Sequence, residues 1–203
     1  MRIIKNIDDE FISKTTNNLV FYVGDILNSL EINLGDEDYV LMENRRAVVS
    51  IDKNNKFITE NNKECVEILI AKRILSLRFY SPLSDILADR EIVRIGLSKK
   101  LFYYYYILLS SPRKIKNIED FLQINIPWIS FYPYNKNYSE YLKDLLHSFD
   151  YQKEFESSAE KLFSLLKKNL YTDKAIKEAK PDVSKNSSGY KIWDVWDKTN
   201  FDL

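Results

Sequence analysis

Apolar residues at three- and four-residue steps, Leu19, Tyr22, Val23, Ile26, Leu27 and Leu30, predict one helix over about 17–31. Two short apolar runs follow, Tyr39 to Met42 and Ala47 to Ile51. Asp52-Lys53-Asn54-Asn55 separates the second run from Lys56-Phe57-Ile58-Thr59. Asp and Asn tolerate the left-handed backbone of a tight turn, so 47–59 reads as a β-hairpin. From Glu64 to Phe79 helical spacing is kept while almost every side of the helix is apolar, which predicts a helix buried at the centre. Ser81 as cap, Pro82 at the first helical position and Gly96 as stop mark a second helix over 82–95. Ser98 opens another through Leu109, ended before Pro112. Asn117 caps a short helix with Asp120 placed to reach back. Asn125 to Tyr134, interrupted by Pro127 and Pro133, reads as an aromatic connector. Stripes at Tyr138, Tyr141, Leu142, Leu145 and Phe149, and at Phe155, Ala159, Leu162, Phe163, Leu166 and Leu170, complete the helices.

The predicted class is mainly α, a single helical domain over 1–170 with a small β-hairpin or sheet near 39–59. Apolar residues nearly vanish over 171–189, which reads as a polar linker and makes the C-terminus a mobile tail. Tyr190, Trp193, Trp196 and Phe201 then form an aromatic docking segment over 190–203. At 203 residues the chain suits one large core better than two.

Composition narrows the function. Thirty basic residues balance thirty acidic ones, which removes the long-range pull on phosphate that nucleic-acid binders use, so that class is disfavoured. The short basic clusters, such as Arg113-Lys114-Lys116, read as solvated faces. The single cysteine, Cys65, excludes an internal disulfide and any multi-cysteine zinc site, and reads as a small core residue. The opening residues carry no signal-peptide pattern, and no apolar run approaches the ~20 residues of a membrane span. A cytoplasmic protein without membrane contact is therefore expected. Its four glycines are too widely spaced for a phosphate-binding loop.

A hairpin leading into a long buried helix and then a second helix is similar to the layout of zincin metallopeptidases, over residues 39–96. Zincins carry two histidines four residues apart on the central helix, with a glutamate between them to activate water. This chain reads Ile70-Ala71-Lys72-Arg73-Ile74-Leu75 there, so the resemblance implies at most a degenerate, pseudo-peptidase scaffold. The lone histidine, His147, lies beside an apolar stripe with no marked nucleophile nearby and reads as a surface residue. No catalytic residue, metal or cofactor is predicted.

Arginine placement offers candidate binding chemistry. Winding 64–79 at about 100° per residue puts Arg73 among Val66, Leu69, Ile70 and Leu77. The same winding of 82–95 puts Arg90 and Arg94 among Leu83, Ile86, Leu87 and Val93. An uncompensated buried guanidinium costs several kcal/mol, so each needs a counter-ion. Asp85, Asp89, Glu91 and Glu67 could supply an internal ion-pair network. Alternatively, Arg73, Arg90 and Arg94, with Asp85 and Asp89 nearby, line a pocket for a carboxylate or phosphate. Asp85 and Asp89, four apart on one face, could instead hold a hard cation.

Tyr103 to Tyr106 fill a full helical turn, so their rings cannot all face one core, and some meet solvent or another surface. The leading functional expectation is a non-catalytic interaction or regulatory accessory protein. It would engage a protein partner or a second copy of itself through aromatic surfaces and Tyr190, Trp193, Trp196 and Phe201. The alternative is a binding module, or degenerate zincin-like domain, with an arginine-lined pocket for an anion.

Overall fold

A computed structural model describes residues 1–6, 9–79 and 84–167, and the segment predicted as linker and docking element lies outside the described residues. The described chain is mainly helical with one four-stranded sheet. Its elements run β1 (Arg2–Asn6), α1 (Glu10–Val20), β2 (Ser29–Gly35), β3 (Tyr39–Glu43), β4 (Arg46–Asp52), α2 (Lys56–Thr59), α3 (Lys63–Ser76), α4 (Ser84–Ile92), α5 (Ser98–Leu109), α6 (Ile118–Phe131), α7 (Lys136–Leu145) and α8 (Lys153–Lys167). A π turn over Val93–Leu97 joins α4 to α5, and a 3-10 turn over Leu146–Ser148 follows α7.

The sheet order is β1-β2-β4-β3, with β1, β2 and β4 parallel and β3 antiparallel at one edge. Leu30 and Ile32 of β2 pair with Ala47 and Val49 of β4, and all four are buried. Period-two alternation thus turns one face of the sheet to the core. The hairpin is β3 with β4, and its turn is Asn44-Arg45 rather than the predicted 52–55. Both turn residues have positive φ, 48° and 64°, as a two-residue type I′ turn requires. Arg45 tolerates this because its side chain is anchored: Nε donates to the Ile26 carbonyl at 3.0 Å and Nη2 to the Asp25 carbonyl at 2.8 Å. Lys56 to Thr59, expected as the second hairpin strand, forms α2 instead, capped by the Asn55 side chain.

The single helix expected over 17–31 is also corrected. Asp9 caps α1 by accepting from the Ile12 amide at 2.9 Å, so the helix starts earlier and ends at Val20. Three-residue backbone bonds carry the chain through Tyr22, Val23 and Ile26 before β2 begins. Leu19, Val23, Leu27 and Leu30 are all buried, one from a helix, two from the irregular stretch and one from a strand. Spacing alone cannot separate those cases.

Helix α3 is central. It packs against α1, α4 and α5, and Cys65, Ile68, Ile70, Ala71, Ile74 and Leu75 are fully buried. Its start is set by Asn62, whose side chain accepts from the Cys65 amide. Gly96, at φ +89°, supplies the left-handed residue that lets α4 turn directly into α5. The expected aromatic connector is instead the second half of α6, with Pro127 inside the helix. Proline there costs about 3 kcal/mol by propensity, yet Ile124, Ile126, Trp128, Ile129 and Phe131 are all buried, and that packing wins. The carbonyl freed by proline belongs to Gln123, an exposed residue that water reaches. Among the described residues no helix is long and apolar enough to cross a membrane.

Candidate functional site

The interface of α3, α4, α5 and α6 holds a buried polar cluster around Asp89. Its carboxylate has no solvent exposure and accepts from three side chains, Lys72 of α3, Tyr105 of α5 and, at 2.9 Å, the Ser130 hydroxyl of α6. Lys72 Nζ also donates to the Tyr105 oxygen at 2.6 Å. Desolvation pushes the Asp89 carboxyl above its ordinary range, against the opposing pull of the Lys72 ammonium and the two hydroxyl donors. Burial, then the Asp89 charge, raises the Tyr105 phenol well above its usual value. Each donor comes from a different helix, so the cluster ties four helices together at one atom group.

Lys72 is where this cluster meets open space. Its side chain keeps 14% exposure and lies on the wall of a cavity of about 700 Å³. An ammonium has three donors, of which Asp89 and Tyr105 take two. The third meets no acceptor among the described residues.

Three further cations, Lys56, Arg73 and Arg113, stand on the same wall, with Asp85 the sole carboxylate there among the described residues. Lys56 begins the short α2, whose Phe57 ring packs 5.1 Å from that of Tyr104. Arg73 Nη2 meets Asp38 at 3.2 Å, and Asp38 is held by accepting from the Asp52 amide at 2.9 Å. The buried Nε of Arg73 has no hydrogen-bond partner among the described residues. Arg113 rides on the loop after α5, which is pinned where the Ile115 amide donates to the Asp150 carbonyl at 2.8 Å. The remaining wall is largely apolar or tyrosyl: Leu69, Tyr104, Leu108, Ile124, Ile126 and Phe149 contribute.

The structure brings Arg73 and Asp85 to this cavity and sets Asp89 behind it, but puts Arg90 and Arg94 elsewhere. Arg90 is buried with its guanidinium 5.9 Å from the Tyr134 ring. Arg94 is 66% exposed and pairs with Glu91. The three arginines do not converge: Arg90, within α4, lies against the Tyr134 ring, and Arg94 falls in the wider π turn after Ile92, away from simple α winding. The expected arginine–carboxylate network is also rearranged: Asp89 takes Lys72, Glu67 takes Lys100 and Arg73 takes Asp38. Asp85 and Asp89 do not form a cation site, since Asp89 already receives three donors. Among the described residues no group of three His, Cys, Asp or Glu side chains could hold a metal ion.

Lys72, Tyr105 and Ser130 were missed by the arginine argument. The signal existed for Lys72, since helical winding sets it on the arc of Cys65, Ile68 and Leu75, all fully buried. The tyrosine turn divides as its geometry demands: Tyr104 and Tyr105 point inward, Tyr103 and Tyr106 outward. His147 is exposed beside Asp144 and borders a second cavity of about 630 Å³ between α6, α7 and α8, whose wall mixes lysines and glutamates. Tyr190, Trp193, Trp196 and Phe201 lie outside the described residues. No family model matches the sequence, and no curated protein or solved structure gives a match.

Proposed function

We propose that this protein is a non-catalytic binding module that takes an organic anion in the cavity between α3, α5 and α6. The reading rests on one observation: Lys72 is held rigidly by Asp89 and Tyr105 with one donor left over, on an apolar wall that also carries Lys56, Arg73 and Arg113. A cavity of a few hundred Å³, mostly apolar with a few convergent polar groups, is the usual form of a small-molecule site. Among the described residues that line the cavity no nucleophile is paired with an adjacent base, and the role we propose is therefore recognition. Calorimetric titration of the full chain with a panel of small carboxylates and phosphates tests this. Saturable binding that weakens in Arg113→Gln and Lys56→Gln is expected, and no binding by any anion would refute it.

A second reading has its own support. Phe102 and Tyr106 of α5 meet Tyr138 and Tyr141 of α7 in a continuous aromatic ridge, with Phe102 stacked 4.2 Å from Tyr138. Tyr103, Tyr106 and Tyr141 remain exposed. In this reading the ridge, with the segment bearing Tyr190, Trp193, Trp196 and Phe201, engages a protein partner or a second copy. Sedimentation of Tyr106→Glu/Tyr141→Glu beside the wild type tests self-association. A wild-type dimer lost in the variant is expected, and an unchanged mass counts against it.

A further inference from the structure

The charge balance of the cavity narrows the ligand. On its wall stand four cations, Lys56, Lys72, Arg73 and Arg113. Two of them are matched from behind, Lys72 by Asp89 and Arg73 by Asp38, and Asp85 adds a third carboxylate on the wall itself. Among these described groups four positive charges stand against three negative ones, a surplus of one. A single negative charge restores neutrality. A dianion such as a phosphate monoester overshoots it, beside Asp85 and in a partly desolvated space where like charges repel strongly.

The remaining wall defines the rest of the ligand. Leu69, Ile124, Ile126 and Phe149 are buried apolar residues that border the cavity from three different parts of the chain. Such a surface gains nothing from a small hydrated ion. It rewards a ligand whose body displaces water from it.

We infer that the cavity takes an amphipathic monocarboxylate, its single charge on Lys72 and Arg113 and its hydrocarbon body along Leu69, Ile124, Ile126 and Phe149. The inference rests on the proposed anion-binding reading and specifies its ligand. Lys72 contributes one fixed donor, because its ammonium is held by Asp89 and Tyr105, and Asp89 in turn by the Ser130 hydroxyl. Arg113 is exposed and approaches from the rim. One buried-anchored and one exposed cation suit a carboxylate with two oxygens.

Calorimetric titration of the full-length wild type with hexanoate, octanoate and decanoate, and with octyl phosphate and octylamine at pH 8, tests this. Affinity is expected to rise about four-fold per added CH2, the equivalent of about 0.8 kcal/mol, until the cavity fills. Octyl phosphate should bind more weakly than octanoate, and octylamine not at all. Arg113→Gln, an exposed change that leaves the core untouched, should weaken octanoate about three-fold while keeping the chain-length slope. Octyl phosphate binding more tightly than octanoate would overturn the monocarboxylate and leave the anion cavity standing. Octylamine binding as well as octanoate, or no anion binding at all, would overturn both.

Discussion

Asp89 and Glu91 lie two residues apart at the end of α4 and meet their cations in opposite settings. Asp89 is sealed between four helices with Lys72, Tyr105 and Ser130 around it, whereas Glu91 pairs with an Arg94 that stands in solvent. The interior pair is bound to the packing of α3, α4, α5 and α6, because neither charge can be left without the other. The outer pair is less constrained, since its Arg94 is 66% exposed and water can replace it, although the Glu91 side chain is only 14% exposed. A charged residue on an apolar helix therefore carries little meaning until its direction is known. Here a lysine, and not one of the neighbouring arginines, is the cation that meets the buried carboxylate.

The contrast can be broken from the interior first. Asp89→Ala leaves the Lys72 ammonium without its carboxylate and is expected to destabilise the fold by about 3–5 kcal/mol, read from urea denaturation. Replacing both partners, Lys72→Met with Asp89→Leu, should recover most of that loss. A double variant as unstable as the single one would mean that shape rather than charge governs the site. Tyr105→Phe removes one hydroxyl that both donates to Asp89 and accepts from Lys72, and should cost about 1.5–3 kcal/mol. Arg94→Gln, on the outer face, should leave the denaturation midpoint unchanged within error, and Glu91→Gln, at a side chain only 14% exposed, should lower it by less than Asp89→Ala does.

Two chemical readouts sharpen the same comparison. Because burial holds the Asp89 carboxyl above its ordinary value of 3.8, the folded state binds more protons there than the unfolded chain does. Its contribution to stability should fall as pH rises from that value through the raised one, and be flat above it. Asp89→Asn should remove this slope, whereas Glu91→Gln should not. The second readout is Cys65, whose thiol burial pushes up to about 11. It should resist alkylation at pH 8 in the native protein and react promptly in urea, unlike an exposed cysteine placed at position 94.

Much of the helical body was legible from spacing and punctuation. Gly96 marked the end of α4, Asn117 the start of α6, and the all-round apolar stretch beginning at Glu64 the central helix. The errors share one cause, that local pattern is silent about what lies across from it. Leu19 to Leu30 keeps helical spacing although a strand begins at Ser29, because burial, not helix, is what the spacing records. Pro127 sits inside α6 because the flanking residues are buried deeply enough to outweigh it. Strand β1 was invisible because five residues, Arg2 to Asn6, gain their meaning only from β2 alongside. Sequence winding named Arg73 and Asp85, which border the cavity, and also Arg90, which lies by Tyr134 instead. It misplaced Arg94, since a π turn follows α4, and it passed over Lys72, which the same argument would have flagged.

The central claim is that Lys72, braced by Asp89, presents its last donor to an anion in the cavity. Nuclear magnetic resonance of the lysine 13Cε and 15Nζ signals during titration with octanoate tests it most directly, with Lys72 assigned through Lys72→Arg. The Lys72 signals should shift saturably with ligand while those of Lys143, on the far cavity beside Trp128, stay still. Binding that moves Lys143 and leaves Lys72 unperturbed would contradict the account.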